Sequence, residues 1–296
     1  MSPAARVVRP EVDGLLLLDK PAGISSHDAV LRARRATREK RIGHGGTLDP
    51  FATGLLVLLL GRATRLLSWM PGEPKVYEAT IRFGAETDTD DLLGTVIREA
   101  PLPSSDAILG AIPSLMGPIA QVPSTYSAKR IDGERAYALA RTGQPVDLPP
   151  VPVTVFRWEL LRAHDDSLDV RIACGAGTYV RALARDLGRL TGSAAHLTAL
   201  RRLASGPFHV SDATPVEALV DRAAIRPPLD ALPHLPRVVL SEDEVRRVIR
   251  GLPVQETTLA DGERAALVTT DGALVAAGAA RAGQWWPKVV MWVDEA

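Results

Sequence analysis

The sequence reads as a mixed strand-and-helix protein in two parts, the second small and mostly β. Length is the first reason, because 296 residues make about two domains of ordinary size. A second is the alternation of short apolar runs with helix-like segments, bounded by glycine- and proline-bearing turns, as far as about residue 210. The third is RPPLDALPHLPR (226–237), whose four prolines in twelve residues make it the best linker candidate.

Taken in order, GLLLLD (14–19) is an apolar run ending at the turn KPAGISS and reads as a buried strand. Ser25 or Ser26 then caps a helix through DAVLRARRATRE (28–39), with Val30 and Leu31 on its apolar side. The same helix carries Arg32, Arg34, Arg35 and Arg38. A glycine-rich loop, GHGGTLDPFATG (43–54), opens into the apolar run LLVLLLG. VYEATIRFG (76–84) alternates as a strand does, and TDTDDLLG (87–94) is an acidic turn. Between proline-bearing loops, GERAYALARTG (133–143) reads as a short helix within a candidate mobile flap, 121–150. VTVFRWELLRA (153–163) and SLDVRIACGAG (167–177) read as strands joined at His164–Asp166. From Thr178 the chain is helical, with Leu183 and Leu187 four apart and Gly192 past its end. Beyond the linker, SEDEVRRVIRG (241–251) carries a capping box of Ser241 and Glu244. A hairpin turning at Asp271-Gly272 and the closing strand KVVMWV complete the second part.

Hydrophobic residues at 46% and charged residues at 24% are the balance of an ordinary soluble globular protein. Cys174 is the only cysteine, which excludes an internal disulfide framework and any paired-cysteine zinc or redox site. The longest apolar run, Leu55–Leu60, falls far short of the ~20 residues that cross a bilayer. MSPAARVVRPEVDG has no apolar signal-peptide core, so a cytoplasmic setting is expected. Formal net charge is zero but unevenly spread: +5 over 1–70, −5 over 71–120, +4 over 121–210 and −4 over 211–296. Two basic segments separated by an acidic one make a basic face if the fold brings them together.

The loop 44–54 is the most informative stretch. Its glycines let the backbone turn tightly before Asp49-Pro50, so the Asp49 carboxylate is carried out of a loop beside a buried strand. No HxH or HExxH pair supports a metal, and no GKS or GKT follows the glycines as a phosphate loop requires. GTYVR (177–181) sets a tyrosine and an arginine at the start of a helix, and KVYEA (75–79) sets Tyr77 among apolar neighbours. Each alone is as well explained by turn, core and surface roles.

Together and in this order, these stretches resemble the bacterial tRNA pseudouridine-55 synthases of the TruB family. The matching segments are LLLDKPAGISSHDAV, RIGHGGTLDPFATGLLVLLLGRATR, KVYEATIRFG with TDTDDLLG, PSTYSAKRIDGERAYALARTG, GTYVRALARDLG and HLTALRRLASGPF. They span about residues 14–210 in family order, with one departure: Gly45 stands where the family usually has threonine. The resemblance implies an α+β pseudouridine synthase fold with a mixed, largely antiparallel central sheet over 1–230. It also implies an RNA-clamping insert at 121–150 and a small, mostly β, PUA-like RNA-binding domain over 237–296. The strands read above are compatible with that architecture.

Function follows by the same resemblance: isomerisation of uridine 55 in the T-loop of tRNA by base flipping, glycosidic cleavage and C5–C1′ rejoining. No cofactor, metal or membrane is implied, and a monomer is expected. Asp49 is then the catalytic carboxylate, acting as nucleophile at C1′ or as base at C2′, and Arg181 is its partner. An adjacent guanidinium is expected to hold that carboxyl below the usual range. Tyr77 stacks on the flipped uracil, Tyr179 and Leu200 line the pocket, His44 supports the opened loop, and Lys20 is a weaker site candidate. Arg32, Arg35, Lys129, Arg130, Arg201 and Arg202 are candidate phosphate contacts. Two other classes compete: a non-catalytic RNA-binding protein, which has no chemical need of Asp49, and a glycoside hydrolase, which needs a second catalytic carboxylate. The acidic stretch 86–91 has no role in this reading.

Overall fold

The computed structural model describes residues 12–124, 130–131, 134–135, 148–255 and 260–291. Its first strands and helix are β1 (Gly14–Lys20), α1 (Ser26–Thr37), β2 (Ile42–His44) and β3 (Thr53–Leu60). Then come β4 (Lys75–Phe83), β5 (Ala85–Thr87), β6 (Val96–Glu99), α2 (Ser105–Ala111) and β7 (Gly117–Gln121). The short pair β8 (Arg130–Ile131) and β9 (Glu134–Arg135) precedes β10 (Val151–Ala163), β11 (Ser167–Cys174), α3 (Val180–Leu190) and β12 (Ala195–Ser205). Two short strands, β13 (Phe208–His209) and β14 (Thr214–Pro215), close the first part. The second holds β15 (Arg237–Val239), α4 (Glu242–Ile249), β16 (Val254–Gln255), β17 (Arg264–Val268), β18 (Leu274–Arg281) and β19 (Gln284–Val290).

Ten strands form the main sheet in the order β14-β1-β3-β12-β4-β11-β10-β7, with β13 on β12 and β2 on β3. Only β1–β14 and β3–β12 run parallel, so the sheet is mixed and largely antiparallel. Periodicity explains which face is covered. Along β4, Tyr77, Ala79, Ile81 and Phe83 are buried against Val180, Leu183, Ala184 and Leu187 of α3, while Glu78, Thr80 and Arg82 face outward. Central β1 and β3 do not alternate because both of their faces are covered. Leu16, Leu18, Leu56 and Leu58 meet Ala29, Val30 and Ala33 of α1. Leu15, Leu17, Leu55, Val57 and Leu59 lie on the other face against Leu66, Trp69 and Phe208.

That second face also receives the small five-stranded sheet, ordered β15-β17-β18-β19-β16. Ala266, Val268, Leu274, Val289 and Met291 join the same apolar cluster as β1 and β3. The proline-rich segment expected as a linker is therefore packed: Leu229, Ala231 and Leu232 are buried between the two sheets. Prolines there set the path of a chain held by apolar contacts. Of the helix expected over 133–143, Glu134–Arg135 alone is described, and it is a strand paired with Arg130–Ile131. The rest of that segment lies outside the described residues. No helix of the described residues is long and apolar enough to cross a membrane.

One shared core predicts one melting transition. Leu232→Ala removes a buried side chain at the seam and is expected to cost about 2–5 kcal/mol. Scanning calorimetry checks both points, and a separately melting C-terminal sheet would contradict the shared core.

Candidate active site

Asp49 lies on the loop between β2 and β3, and several anchors hold that loop. Ser26 Oγ donates to the Leu48 carbonyl at 3.0 Å and accepts from the Leu48 N–H at 2.8 Å. The Lys20 ammonium, fully buried, donates to the carbonyls of Pro21 (2.9 Å), Ile24 (2.8 Å) and Pro50 (3.4 Å). Arg202, 2% exposed, reaches in from β12 and donates to the carbonyls of Leu55 (2.7 Å), Gly46 (3.0 Å) and Thr47 (3.3 Å). These donors tie carbonyls of the loop and its flanking segments to β1 and β12. Gly45, the one departure from the family pattern, donates its N–H to Val57 O at 2.9 Å. A Cβ there would fall 2.9 Å from the Met70 methyl, so methionine fills the space instead. Gly54 has a φ of +101° and a Cβ would stand 2.3 Å from Arg202 O, so only glycine allows β3 to meet β12.

From the other side, α3 delivers Arg181. Its Nε lies 2.9 Å from Asp49 Oδ2 and its Nη2 donates to Oδ1 at 3.3 Å, a two-pronged pairing. The guanidinium is 4% exposed and its Nη1 also meets Thr89 O at 2.6 Å and Asp91 Oδ2 at 3.4 Å. Arg185 pairs with Asp90 at 3.1 Å, and Arg189 pairs with Glu86, which also takes Arg98 at 3.0 Å. Residues 181, 185 and 189 lie four apart on one helix face. The acidic stretch 86–91 is thus the set of counter-charges for that face. Sequence reading missed this, although the i, i+4, i+8 arginines of GTYVRALARDLGR were the signal.

Tyr179 is the N-cap of α3 without a side-chain cap. Buried Gln121 supplies one from β7: its Oε1 accepts from Tyr179 N–H at 2.9 Å and its Nε2 donates to Tyr179 O at 3.1 Å. Asp49, Tyr77, Tyr179, Arg181 and Leu200 line one cavity of about 250 Å³, together with Gly46, Thr47 and Lys75. That is small beside the ~300–1,000 Å³ of common ligand pockets and on the scale of one nucleoside. The Asp49 side chain is 34% exposed into this space.

Several expected residues stand elsewhere. Lys20 is corrected from a substrate-binding candidate to a buried anchor, because its ammonium is spent on three carbonyls and is not among the cavity's lining. Arg202 is corrected as a phosphate contact for the same reason. Arg201, facing the opposite side of β12, holds Asp19 at 3.0 and 2.7 Å and remains partly exposed. Arg32 is exposed and pairs with Glu217 at 3.3 Å, Arg35 is exposed beside it, and Lys129 and the Arg130 side chain lie outside the described residues. His44 sits on β2, outside the cavity lining, and burial lowers its pKa. Lys75, which sequence reading passed over, lines the cavity on the same face of β4 as Tyr77.

Electrostatics overturn one expectation. Burial pushes the Asp49 carboxyl above its ordinary range, against the opposing pull of Arg181, and the nearby Asp91 adds to the rise. Burial likewise raises the Tyr77 hydroxyl and lowers Lys20 to about 8. Removing a carboxylate from water disfavours its charge, and here that outweighs the ion pair.

The family model described as TruB family pseudouridylate synthase (N terminal domain) matches residues 34–180, and that of the tRNA pseudouridylate synthase B C-terminal domain matches 181–249. A tRNA pseudouridine synthase B of Synechococcus elongatus is 44% identical over 291 residues, covering 94% of this chain and 98% of that protein. The chain belongs to the TruB family of pseudouridine synthases. A second member, from Corynebacterium efficiens, is 45% identical over 256 residues, covering 84% of this chain and 81% of that one. Among solved structures, a chain of an H/ACA RNP bound to a substrate RNA containing 2′-deoxyuridine superposes with a TM-score of 0.72. It is 25% identical and the match covers 95% of this chain and 86% of that one. An archaeal box H/ACA Nop10–Cbf5 complex gives a TM-score of 0.70 at 25% identity, covering 95% and 87%. As a TruB-family pseudouridine synthase the chain is an isomerase. The two family models abut at 180/181, inside the main sheet's own architecture, whereas the second sheet begins at Arg237.

A titration of the Asp49 carboxyl by carbon NMR is expected to show a midpoint above the 3.8 of an ordinary aspartate. Asp91→Asn removes a charge that raises it, so the midpoint in that variant should move down. A midpoint below the ordinary value in the unmodified protein would contradict the dominance of burial.

Proposed function

We propose that this enzyme converts uridine 55 in the T-loop of tRNA to pseudouridine, with Asp49 as the catalytic carboxylate. The observation that carries the reading is a carboxylate fixed in two-pronged contact with a buried arginine at the floor of a nucleoside-sized cavity. A base stacked in a folded loop must leave its stack to reach such a floor, at a cost of a few kcal/mol that pocket contacts offset. Tyr77 lines the cavity with Tyr179 and Leu200 and is proposed to stack on the flipped base. Asp49 then acts on the ribose, either by bonding to C1′ as the N1–C1′ bond breaks or by taking the C2′ proton. Both routes need the ionised carboxylate, which Arg181 favours and burial opposes. The uracil turns in the cavity and C5 bonds to C1′, with the C5 hydrogen released. A hydrolase reading is disfavoured, because among the described residues the cavity's lining holds one carboxylate, Asp49.

Exposed arginines of α1, the insert at 121–150 and the second sheet, acting as a PUA-like RNA-binding domain, are proposed to hold the RNA stem. Affinity for tRNA should therefore fall steeply and linearly on a logarithmic salt scale as bound phosphates release counterions. A flat salt dependence would contradict that.

Tritium release from tRNA labelled at C5 of uridine tests the reaction. Unmodified enzyme should release tritium without added metal or nucleotide, and Asp49→Asn should bind tRNA with no release. Arg181→Lys should lose at least about 100-fold in rate, because a point charge cannot reproduce the paired donors. An unchanged Arg181→Lys rate would refute the pairing as a catalytic requirement.

A further inference from the structure

Lys75 is the cavity residue that the reading above leaves without a task. It sits two residues before Tyr77 on β4, so both side chains rise from the same face roughly 7 Å apart along the strand. Its ammonium lies over the loop that carries Asp49, 3.3 Å from where a Cβ on Gly46 would be. Gly46 has a φ of +146°, and any side chain there would crowd that ammonium. The neighbouring cations are engaged. Arg181 is held by Asp49, Asp91 and Thr89 O, and Arg202 by three backbone carbonyls. Among the described residues, the Lys75 ammonium makes neither a hydrogen bond nor an ion pair within 4.0 Å, its backbone alone being paired in the sheet. Glu73, the carboxylate nearest in sequence, accepts instead from Ala176 N–H at 2.6 Å. A half-buried cation beside a reaction cavity, with its donors uncommitted, is a site for developing negative charge.

The proposed reaction makes such a charge. Breaking N1–C1′ sends the bonding pair to the base, which departs as an anion spread over N1, O2 and O4. The electron deficiency at C1′ is met by a bond to the Asp49 carboxylate or by loss of the C2′ proton to it. On rejoining, an electron pair at C5 forms the C5–C1′ bond as the C1′–O bond to Asp49 breaks, its pair returning to the carboxylate. In the other route, C2′ takes its proton back from Asp49 as that bond forms. C5 then loses its proton and N1 gains one. Composition is unchanged, and the anion exists only between the two bond changes.

We propose that Lys75 is a catalytic residue that stabilises the departing uracil anion through its ammonium, at the edge of the base stacked on Tyr77. This inference rests on the pseudouridine synthase reading and adds a residue to it. The role is electrostatic and requires no proton transfer from lysine. Burial and the charge of Arg202 lower the Lys75 pKa from its usual range, while Cys174 and Glu73 oppose that. A binding anion would reverse that destabilisation of the charged form.

The test compares wild type, Lys75→Met and Lys75→Arg in single-turnover consumption of the target nucleoside, in tRNA carrying uridine or 5-fluorouridine. Fluorine at C5 makes the departing base a weaker base that needs less help to leave. Lys75→Met should slow the uridine reaction about 100-fold with tRNA affinity little changed. The deficit should shrink several-fold on the fluorinated RNA, and Lys75→Arg should recover part of the rate. An equal deficit on both RNAs, or a loss confined to tRNA affinity, would overturn the proposal. Wild type is the separate control: its failure on uridine tRNA would bring down the underlying reading, whereas its activity leaves only the role of Lys75 at issue.

Discussion

The pairing of Arg181 with Asp49 is the constraint around which the site is built. A guanidinium that is 4% exposed must find anions or carry a large desolvation penalty. Asp49 alone is insufficient, because it also faces the cavity and is the group that reacts in the proposed mechanism. Asp91 and Thr89 O share the load and hold the far side of the guanidinium. The acidic turn repeats the arrangement for Arg185 and Arg189, which makes α3 a rigid base for the pair. Asp90 adopts a φ of +58°, a conformation aspartate tolerates better than most residues, and this lets consecutive carboxylates serve consecutive arginines.

Opposite α3, the carboxylate's own loop is held from beneath. Lys20 and Ser26 secure it to the β1–α1 segment, and Arg202 secures it to β12. β3 and β12 meet in register only at Thr53–Arg201 and Gly54–Arg202, so the loop sits where two halves of the sheet join. Buried charges used in this way contribute little net stability, but breaking one pair leaves its partner stranded. The resulting rigidity suits a reaction in which one carboxylate must stay in place while the base turns.

Much of this was legible in the residues. Alternation along 76–84, a serine cap at Ser25 or Ser26 (Ser25 in the structure), the capping box at Ser241 and the Asp271-Gly272 turn each report a local preference that tertiary structure did not override. Motif order brought Asp49, Tyr77, Tyr179, Arg181 and Leu200 to one cavity. What stayed hidden depends on distance in space. Lys20 reads as a substrate-binding candidate and Arg202 as a phosphate-binding cation until the fold shows their burial. The proline-rich stretch reads as a linker because its Leu229 and Leu232 have no visible partners in sequence. The sign of the Asp49 shift could not be read either, since it is a competition between burial and pairing that only coordinates weigh.

A double-mutant cycle between Arg181→Lys and Asp91→Asn, read as single-turnover pseudouridine formation, addresses the central claim most directly. If Asp91 acts by holding Arg181 on Asp49, the double variant will be about as slow as the slower single variant, a large coupling between the two sites. Independent effects that multiply would mean that Asp91 and Arg181 serve separate ends and that the network does not position the catalytic carboxylate.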